Sequence, residues 1–210
     1  MHLFSRVATL TGGPVEPIEW AMNVTAKVDQ IMEVDVSLWQ ARFGYPLGTV
    51  AWSAMVESRA HLDEQMAKTT ADSGFLDLVG QGQPFIAVPP QDTLRSVVHM
   101  TREPRSAPIG AWVEVTSVTP AEGKLADAMA WGVEIADHYT TVTDTGAAFL
   151  ADDYGRFGQL TWIAVHDDGA AADAAGEATA TDAGYLAAID GAADLFQPGT
   201  GTRTASTRIA

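Results

Sequence analysis

Four polar side chains interrupt segments that otherwise have the pattern of β-strands: Arg6, Gln40, Arg42 and Glu114. Side chains alternate between the two faces of a strand, so each of these groups lies on one defined face. On the inner face of a closed sheet, such a group could bind a carboxylate, a phenolate or a carbonyl oxygen of a ligand. On an outer face or at an edge, it would pair with neighbouring residues. The sequence leaves both interpretations open.

Tryptophans are a second kind of candidate for binding. Trp39, Trp52, Trp112 and Trp162 stand in predicted strands, where they could line a pocket for a flat polycyclic ligand. Trp52 and Trp162 occupy equivalent positions in the two halves of the chain, which favours a shared role in core packing. Trp39 and Trp112 have no such counterpart, so they are the better binding candidates, together with Asp153 at the end of a strand.

The sequence contains no motif of a known catalytic or metal site. The chain has five histidines, none spaced as a metal-binding pair, and no cysteine. It also lacks a G-x-S-x-G motif, a P-loop and a dinucleotide-binding G-x-G-x-x-G. We therefore expect neither a metal nor a cofactor.

The charge of the chain argues against two classes of partner. With 27 acidic against 12 basic residues the net charge is −15, whereas nucleic-acid binding requires a basic surface. The same charge disfavours anionic membranes, and no apolar run approaches the roughly 20 residues of a membrane-spanning helix. The first residues, MHLFSRVATLTGG, lack the apolar region of a signal peptide. We expect a cytoplasmic protein.

The chain repeats itself at a nearly constant spacing. Trp52 lies 110 residues before Trp162, and TADSGFLDLV at 70–79 matches ATDAGYLAAI at 180–189. Before the turn at Gly48 the spacing is 111, as between Phe43 and Tyr154. A slip of one residue at a turn is easily tolerated, so we interpret the pattern as a structural duplication.

Each half has the pattern of a β-α-β-β-α-β unit. We predict a first repeat at 1–100, a linker at 101–110, which contains two prolines, and a second repeat at 111–210. In the first repeat the predicted order is strand 3–10, helix 17–32, strands 36–43 and 50–56, helix 59–79 broken at 72–74, loop 83–91 and strand 93–99. The Ala-rich segment 167–180 is predicted to be an exposed helix, with disorder left open as the alternative.

The β-α-β-β-α-β order is that of a ferredoxin-like unit. Strands such as VAWSAMV and LTWIAV are apolar on both faces, so the sheet needs a second cover. A tandem copy supplies that cover, and the chain resembles the dimeric α/β-barrel superfamily. Within it, FGYPLGTVAWSAMVES followed by DSGFLDLV is similar to NIPSNAP-like proteins. The resemblance implies an α+β fold in which two tandem ferredoxin-like βαββαβ repeats form an intramolecular dimeric α/β-barrel.

The resemblance implies a barrel cavity but no single reaction. One interpretation is a small-molecule-binding barrel, acting like the cofactor-independent monooxygenases or cyclases on an aromatic or polyketide-like substrate. The alternative is a non-catalytic interaction or assembly protein, and a homo-oligomer is left open. A third interpretation is haem binding, because haem-binding tandem barrels use a histidine of a C-terminal helix, and His138 lies on the first predicted helix of the second half.

Overall fold

The chain folds into a closed barrel of eight antiparallel strands with helices packed against its outer face. The computed structural model describes residues 1–210. The strands are β1 (His2–Leu10), β2 (Val36–Phe43), β3 (Thr49–Val56), β4 (Ile86–Met100), β5 (Trp112–Val118), β6 (Ala147–Tyr154), β7 (Leu160–His166) and β8 (Thr202–Arg208). The helices are α1 (Glu16–Ile31), α2 (Arg59–Ala71), α3 (Ser73–Gln81), α4 (Leu125–Thr143), α5 (Gly169–Thr181) and α6 (Ala183–Asp190).

The strand order shows two copies of one sheet. Around the barrel it is β1, β3, β2, β8, β5, β7, β6, β4, and β4 pairs with β1. The first four strands thus form the sheet β4-β1-β3-β2, and the last four repeat this order as β8-β5-β7-β6. The β2–β8 and β4–β6 pairs join the sheets. This confirms the predicted α+β fold of two tandem ferredoxin-like repeats closed into one barrel. The division at 1–100, 101–110 and 111–210 stays a prediction.

One predicted element was wrong. Residues 83–91 were expected to form a loop, but β4 already begins at Ile86. Its pairing with β1 shifts register between the Thr9–Val88 and Val7–Gln91 pairs. Pro89 and Pro90 fall in this irregularity, where a residue without an N–H group is tolerated in a sheet. The prolines therefore mark a bulge within a long strand.

The break predicted at 72–74 is present, and the Ala-rich segment forms helix α5. The Asp72 carboxylate accepts a hydrogen bond from the Phe75 amide at 2.7 Å and begins α3. Asp168 begins α5 in the same way, through the Ala171 amide at 2.9 Å. Such N-terminal caps satisfy amides that have no partner within the helix, which fixes where each helix starts.

A pair of tryptophans joins the first helix of each half to its sheet. Trp20 of α1 meets Trp52 edge-to-face at 6.2 Å between ring centroids, and Trp131 of α4 meets Trp162 at 5.7 Å. The indole N–H of Trp52 donates to Thr25, and that of Trp162 donates to the carbonyl of Gly132. Both strand tryptophans thus lie in the helix-facing core, as their repetition predicted. No helix has the length and apolar character needed to cross a lipid bilayer.

Candidate functional site

The barrel encloses a cavity of about 1000 Å³. Inward-facing side chains of every strand line it, because alternate residues of a closed sheet point to the interior. Its walls combine aliphatic side chains, including Val7, Ala51, Val113, Leu150 and Ile163, with hydroxyl-bearing side chains on several strands. The interior is therefore of mixed polarity, with polar groups among its apolar side chains.

Trp39 is the one tryptophan that lines the cavity. It is buried, and its indole N–H donates to Ser53 Oγ at 2.9 Å. This hydrogen bond to the neighbouring strand fixes the orientation of the ring at the wall. The placement agrees with the sequence prediction for Trp39, whose role in binding a ligand stays a prediction.

An ion pair lies at the cavity wall between β4 and β6. Arg95 Nε donates to Asp152 Oδ1 at 2.8 Å, and the two side chains are 15% and 2% exposed. Arg95 belongs to the lining, whereas its terminal nitrogens have no hydrogen bond to the protein among the side-chain contacts. A guanidinium held by one edge in this way presents its other N–H groups as donors.

The segment between the two repeats crosses one end of the cavity. Residues 102–107 belong to the lining, at the end where β4 finishes and β5 begins. The segment is held to acidic residues of three separate loops: Arg102 to Asp144, Arg105 to Asp167 at 2.9 Å, and Ser106 to Asp35 at 2.8 Å. At the other end the lining reaches Tyr45 and Gln159, which belong to the two equivalent hairpin turns.

Arg6, Gln40 and Arg42 lie on the outer face of the sheet and do not line the cavity. Arg6 forms a two-pronged contact with Asp92 at 2.7 and 2.8 Å, in solvent. Arg42 donates to Thr207 Oγ1 at 3.0 Å. The physical reason is that Ala8 and Leu38, which share faces with Arg6 and Arg42, are buried beneath the helices.

Trp112, Glu114 and Asp153 also lie on the outer face. The Trp112 ring packs against Phe43 at 6.0 Å between centroids. Asp153 accepts hydrogen bonds from Ser96 Oγ at 2.8 and 2.9 Å and lies 3.4 Å from His2 Nε2. Of the eight residues predicted from the sequence, the structure therefore places Trp39 at the cavity and the other seven outside it.

Glu114 belongs to a polar cluster between the second sheet and its helices. Its carboxylate lies 3.8 Å from His166 Nε2 and 2.6 Å from Arg203, and these two groups lower the pKa of Glu114. His166 is fully buried and lies 3.4 Å from the Tyr139 hydroxyl, whose pKa burial raises to about 12. The first repeat has Val56 at the position equivalent to His166, since Val56 pairs with His2 as His166 pairs with Trp112. The buried histidine therefore has an apolar counterpart in the first repeat.

His138 lies on a helix outside the barrel and contacts an acidic residue. It lies on α4 against α6, with Nε2 3.3 Å from the Asp182 carboxylate. Tyr185 meets the ring edge-to-face at 5.7 Å, and a Cβ on Gly184 would come within 3.2 Å of the imidazole. The Nε2 atom of His138 thus already has Asp182 as its partner, and haem binding through this histidine stays a prediction. The structure also has no group of three acidic or histidine side chains that could hold a metal ion.

Sequence reasoning missed Arg95 and Asp152. The sequence did indicate a strand face for Arg95, which it shares with Thr93 and Val97 in a segment predicted as a strand. The sequence did not indicate that Asp152 is its partner, since Asp152 is 57 residues away in the other repeat. Only the β4–β6 pairing, which places Arg95 opposite Asp152, brings the two groups together.

Comparison with known proteins identifies the fold of this chain but not its function. No family model matches the chain, and no curated protein matches its sequence. A crystal structure named "Putative monooxygenase" from Fusobacterium nucleatum matches 100% of this chain and 92% of its own, with a TM-score of 0.77 and 9% identity. An anthrone oxidase-like protein matches 100% and 91%, with a TM-score of 0.67 and 12% identity.

A NIPSNAP domain protein from Burkholderia xenovorans is also similar, over 45% of this chain and 91% of its own, with 13% identity and a TM-score of 0.36. The two full-length matches carry the fold assignment. At their low identity they establish a shared architecture, which is that of the dimeric α/β-barrel proteins.

Proposed function

We propose that this protein binds one small, mostly apolar molecule inside the barrel. The observation that carries the proposal is the cavity of about 1000 Å³ enclosed by the inner faces of all eight strands. Ligand sites are concave, mainly apolar and supplied with a few fixed polar groups, and they measure about 300–1000 Å³. Trp39, held by Ser53, supplies a rigid aromatic surface, and Arg95 supplies fixed donors.

The reaction class that fits best is oxygenation or cyclisation of an aromatic or polyketide-like substrate. Two observations support it: the interior of the barrel would limit the access of water to a reactive intermediate, and the full-length structural neighbours are named "Putative monooxygenase" and anthrone oxidase-like protein. The proposal includes a cytoplasmic location and no nucleic-acid partner, in keeping with the acidic charge.

Filling the cavity tests the binding proposal. We expect the double change Ala51→Trp and Ala148→Trp, one on the inner wall of each repeat, to weaken binding of N-phenyl-1-naphthylamine at least about tenfold. The reason is that two indoles occupy the space the probe needs. Fluorescence titration measures the change, and thermal unfolding confirms that the variant folds.

The matched control is Ala67→Trp, which adds the same indole to an exposed position of α2. It should leave the dissociation constant unchanged. Equal binding by the cavity-filled variant and the wild type would mean that the probe binds elsewhere, and the proposal would fail.

A second candidate function, assembly, is favoured by one surface feature. Leu47 and Phe157, at the tips of the two equivalent hairpins, are both 97% exposed. An interface that covers both side chains would remove their apolar surface from water. Light scattering at increasing concentration should then detect a homo-oligomer, and Leu47→Ser with Phe157→Ser should return it to a monomer. A wild-type monomer at every concentration would remove this candidate.

A further inference from the structure

At one level of the barrel, the two repeats present chemically different side chains to the cavity. In the first repeat, direct cross-strand partners form a row of hydroxyls: Ser37 lies opposite Ser53, Ser53 opposite Ser5, and Ser5 opposite Thr93. The row runs across β2, β3, β1 and β4. All four residues line the cavity.

The corresponding row of the second repeat is largely apolar. Ala148 lies opposite Ile163, Ile163 opposite Val115, and Val115 opposite Thr204. These residues also line the cavity. Three serines of the first repeat are thus replaced by alanine, isoleucine and valine at the same level of the barrel. Trp52 and Trp162 have the same packing role and are the same residue in both repeats. The two rows differ between the repeats, so a common packing role does not explain them.

Unpaired donors stand at the polar wall. Thr93 Oγ1 is buried and has no hydrogen-bond partner. Two residues further along β4, Arg95 lines the cavity and uses Nε for Asp152, which leaves its terminal N–H groups without a side-chain partner. Buried polar groups normally find partners, and an acceptor atom of a ligand in the cavity would complete these hydrogen bonds.

Asp152 determines which acceptor suits Arg95. It is 2% exposed and already neutralises the guanidinium, so the pair carries no net charge. A ligand carboxylate on Arg95 would stand close to the Asp152 carboxylate, and two like charges in a poorly solvated space repel each other. A carbonyl oxygen accepts the same hydrogen bonds without this repulsion.

We propose that the ligand is neutral and two-sided. A carbonyl oxygen binds the terminal nitrogens of Arg95, the oxygen-bearing edge lies along the hydroxyl row of the first repeat, and the apolar edge faces Ala148, Ile163 and Val115. The inference rests on the proposed function, since it names the class of molecule that the same cavity binds. It adds the orientation of that molecule, since it assigns one edge of the ligand to each repeat.

Three probes of the same size separate the possibilities: 2-acetylnaphthalene, 2-naphthoate and 2-ethylnaphthalene. Wild-type protein should bind the ketone at least about tenfold more tightly than either the carboxylate or the hydrocarbon, as measured by quenching of tryptophan fluorescence. Tighter binding of the carboxylate, or equal binding of the ketone and the hydrocarbon, would overturn the inference while leaving cavity binding intact. Failure of all three to bind would overturn both.

Removing the ion pair as a unit tests the assignment to Arg95. In Arg95→Met with Asp152→Leu, no charge is left unpaired, and we expect the preference for the ketone over the hydrocarbon to disappear while the hydrocarbon still binds. The matched control is Arg42→Met on the outer face, which should keep the full preference. An undiminished preference in the double variant would show that Arg95 does not bind the carbonyl.

Discussion

Gly132→Ala should destabilise the protein by about 3 kcal/mol, and Phe149→Leu in the same chain should restore most of that loss. A Cβ atom on Gly132 would lie 2.3–2.7 Å from three ring atoms of Phe149, closer than carbon atoms can approach. Phe149 is completely buried and stacks on Trp162 at 4.9 Å, so its ring has no free space into which to move. The added methyl group therefore forces α4 away from the sheet.

The first repeat shows the compensating arrangement. At a spacing of 111 residues, Ala21 stands where Gly132 does and Leu38 where Phe149 does, and both are fully buried. In the second repeat a glycine faces a phenylalanine. In the first repeat the larger alanine faces the smaller leucine. The double variant Gly132→Ala with Phe149→Leu reproduces the Ala–Leu pair. We expect its unfolding free energy to lie within about 2 kcal/mol of the wild-type value.

Urea unfolding followed by tryptophan fluorescence measures the unfolding free energies of the wild type, Gly132→Ala, Phe149→Leu and the double variant. The sign of the coupling is the decisive result, since contacting residues deviate from additivity. A double variant less stable than Gly132→Ala would contradict the steric account. Ala67→Gly, at an exposed position of α2, is a control for helix propensity and should cost about 1 kcal/mol.

Arg95→Met is the second change with a large expected effect, at about 3–5 kcal/mol of unfolding free energy. It leaves the carboxylate of Asp152, which is 2% exposed, without its partner at 2.8 Å. The free-energy cost of removing a charged group from water is offset in the folded protein only while the opposite charge is present. Adding Asp152→Leu removes the isolated charge, so the double variant should recover nearly all of the lost stability.

An exposed ion pair of the same chemistry is the control. Arg6 and Asp92 are 43% and 42% exposed and are joined at 2.7 Å. Arg6→Met should cost no more than about 1 kcal/mol, because solvent screens exposed pairs. Chemical unfolding compares the two substitutions directly. Equal costs for Arg95→Met and Arg6→Met would contradict the view that burial gives the Arg95–Asp152 pair its importance.

The fold followed from the sequence because its signals are local and occur twice. Trp52 recurs as Trp162, and TADSGFLDLV at 70–79 recurs as ATDAGYLAAI at 180–189. This recurrence at a fixed spacing identified two equivalent units. The one wrong element, at 83–91, failed for a tertiary reason, since Pro89 and Pro90 are accommodated by a bulge against β1.

The site could not be predicted in the same way. The strands are apolar on both faces, so alternation alone does not show which face turns inward. Arg6 and Glu114 were candidates because they interrupt apolar strands, yet the neighbouring strands supply Asp92 and Arg203 as partners on the outer face.

The sequence by itself determined the duplicated ferredoxin-like unit, the need for a second sheet to cover the first, and the exclusion of a basic surface. Tertiary structure alone decided which residues face the cavity, the meeting of Arg95 with Asp152, and the contrast between the Ser37–Thr93 row and the Ala148–Thr204 row. The physical reason is that local periodicity specifies the elements, whereas closure of the barrel fixes the register and face of every strand at once, through pairings between residues far apart in the chain.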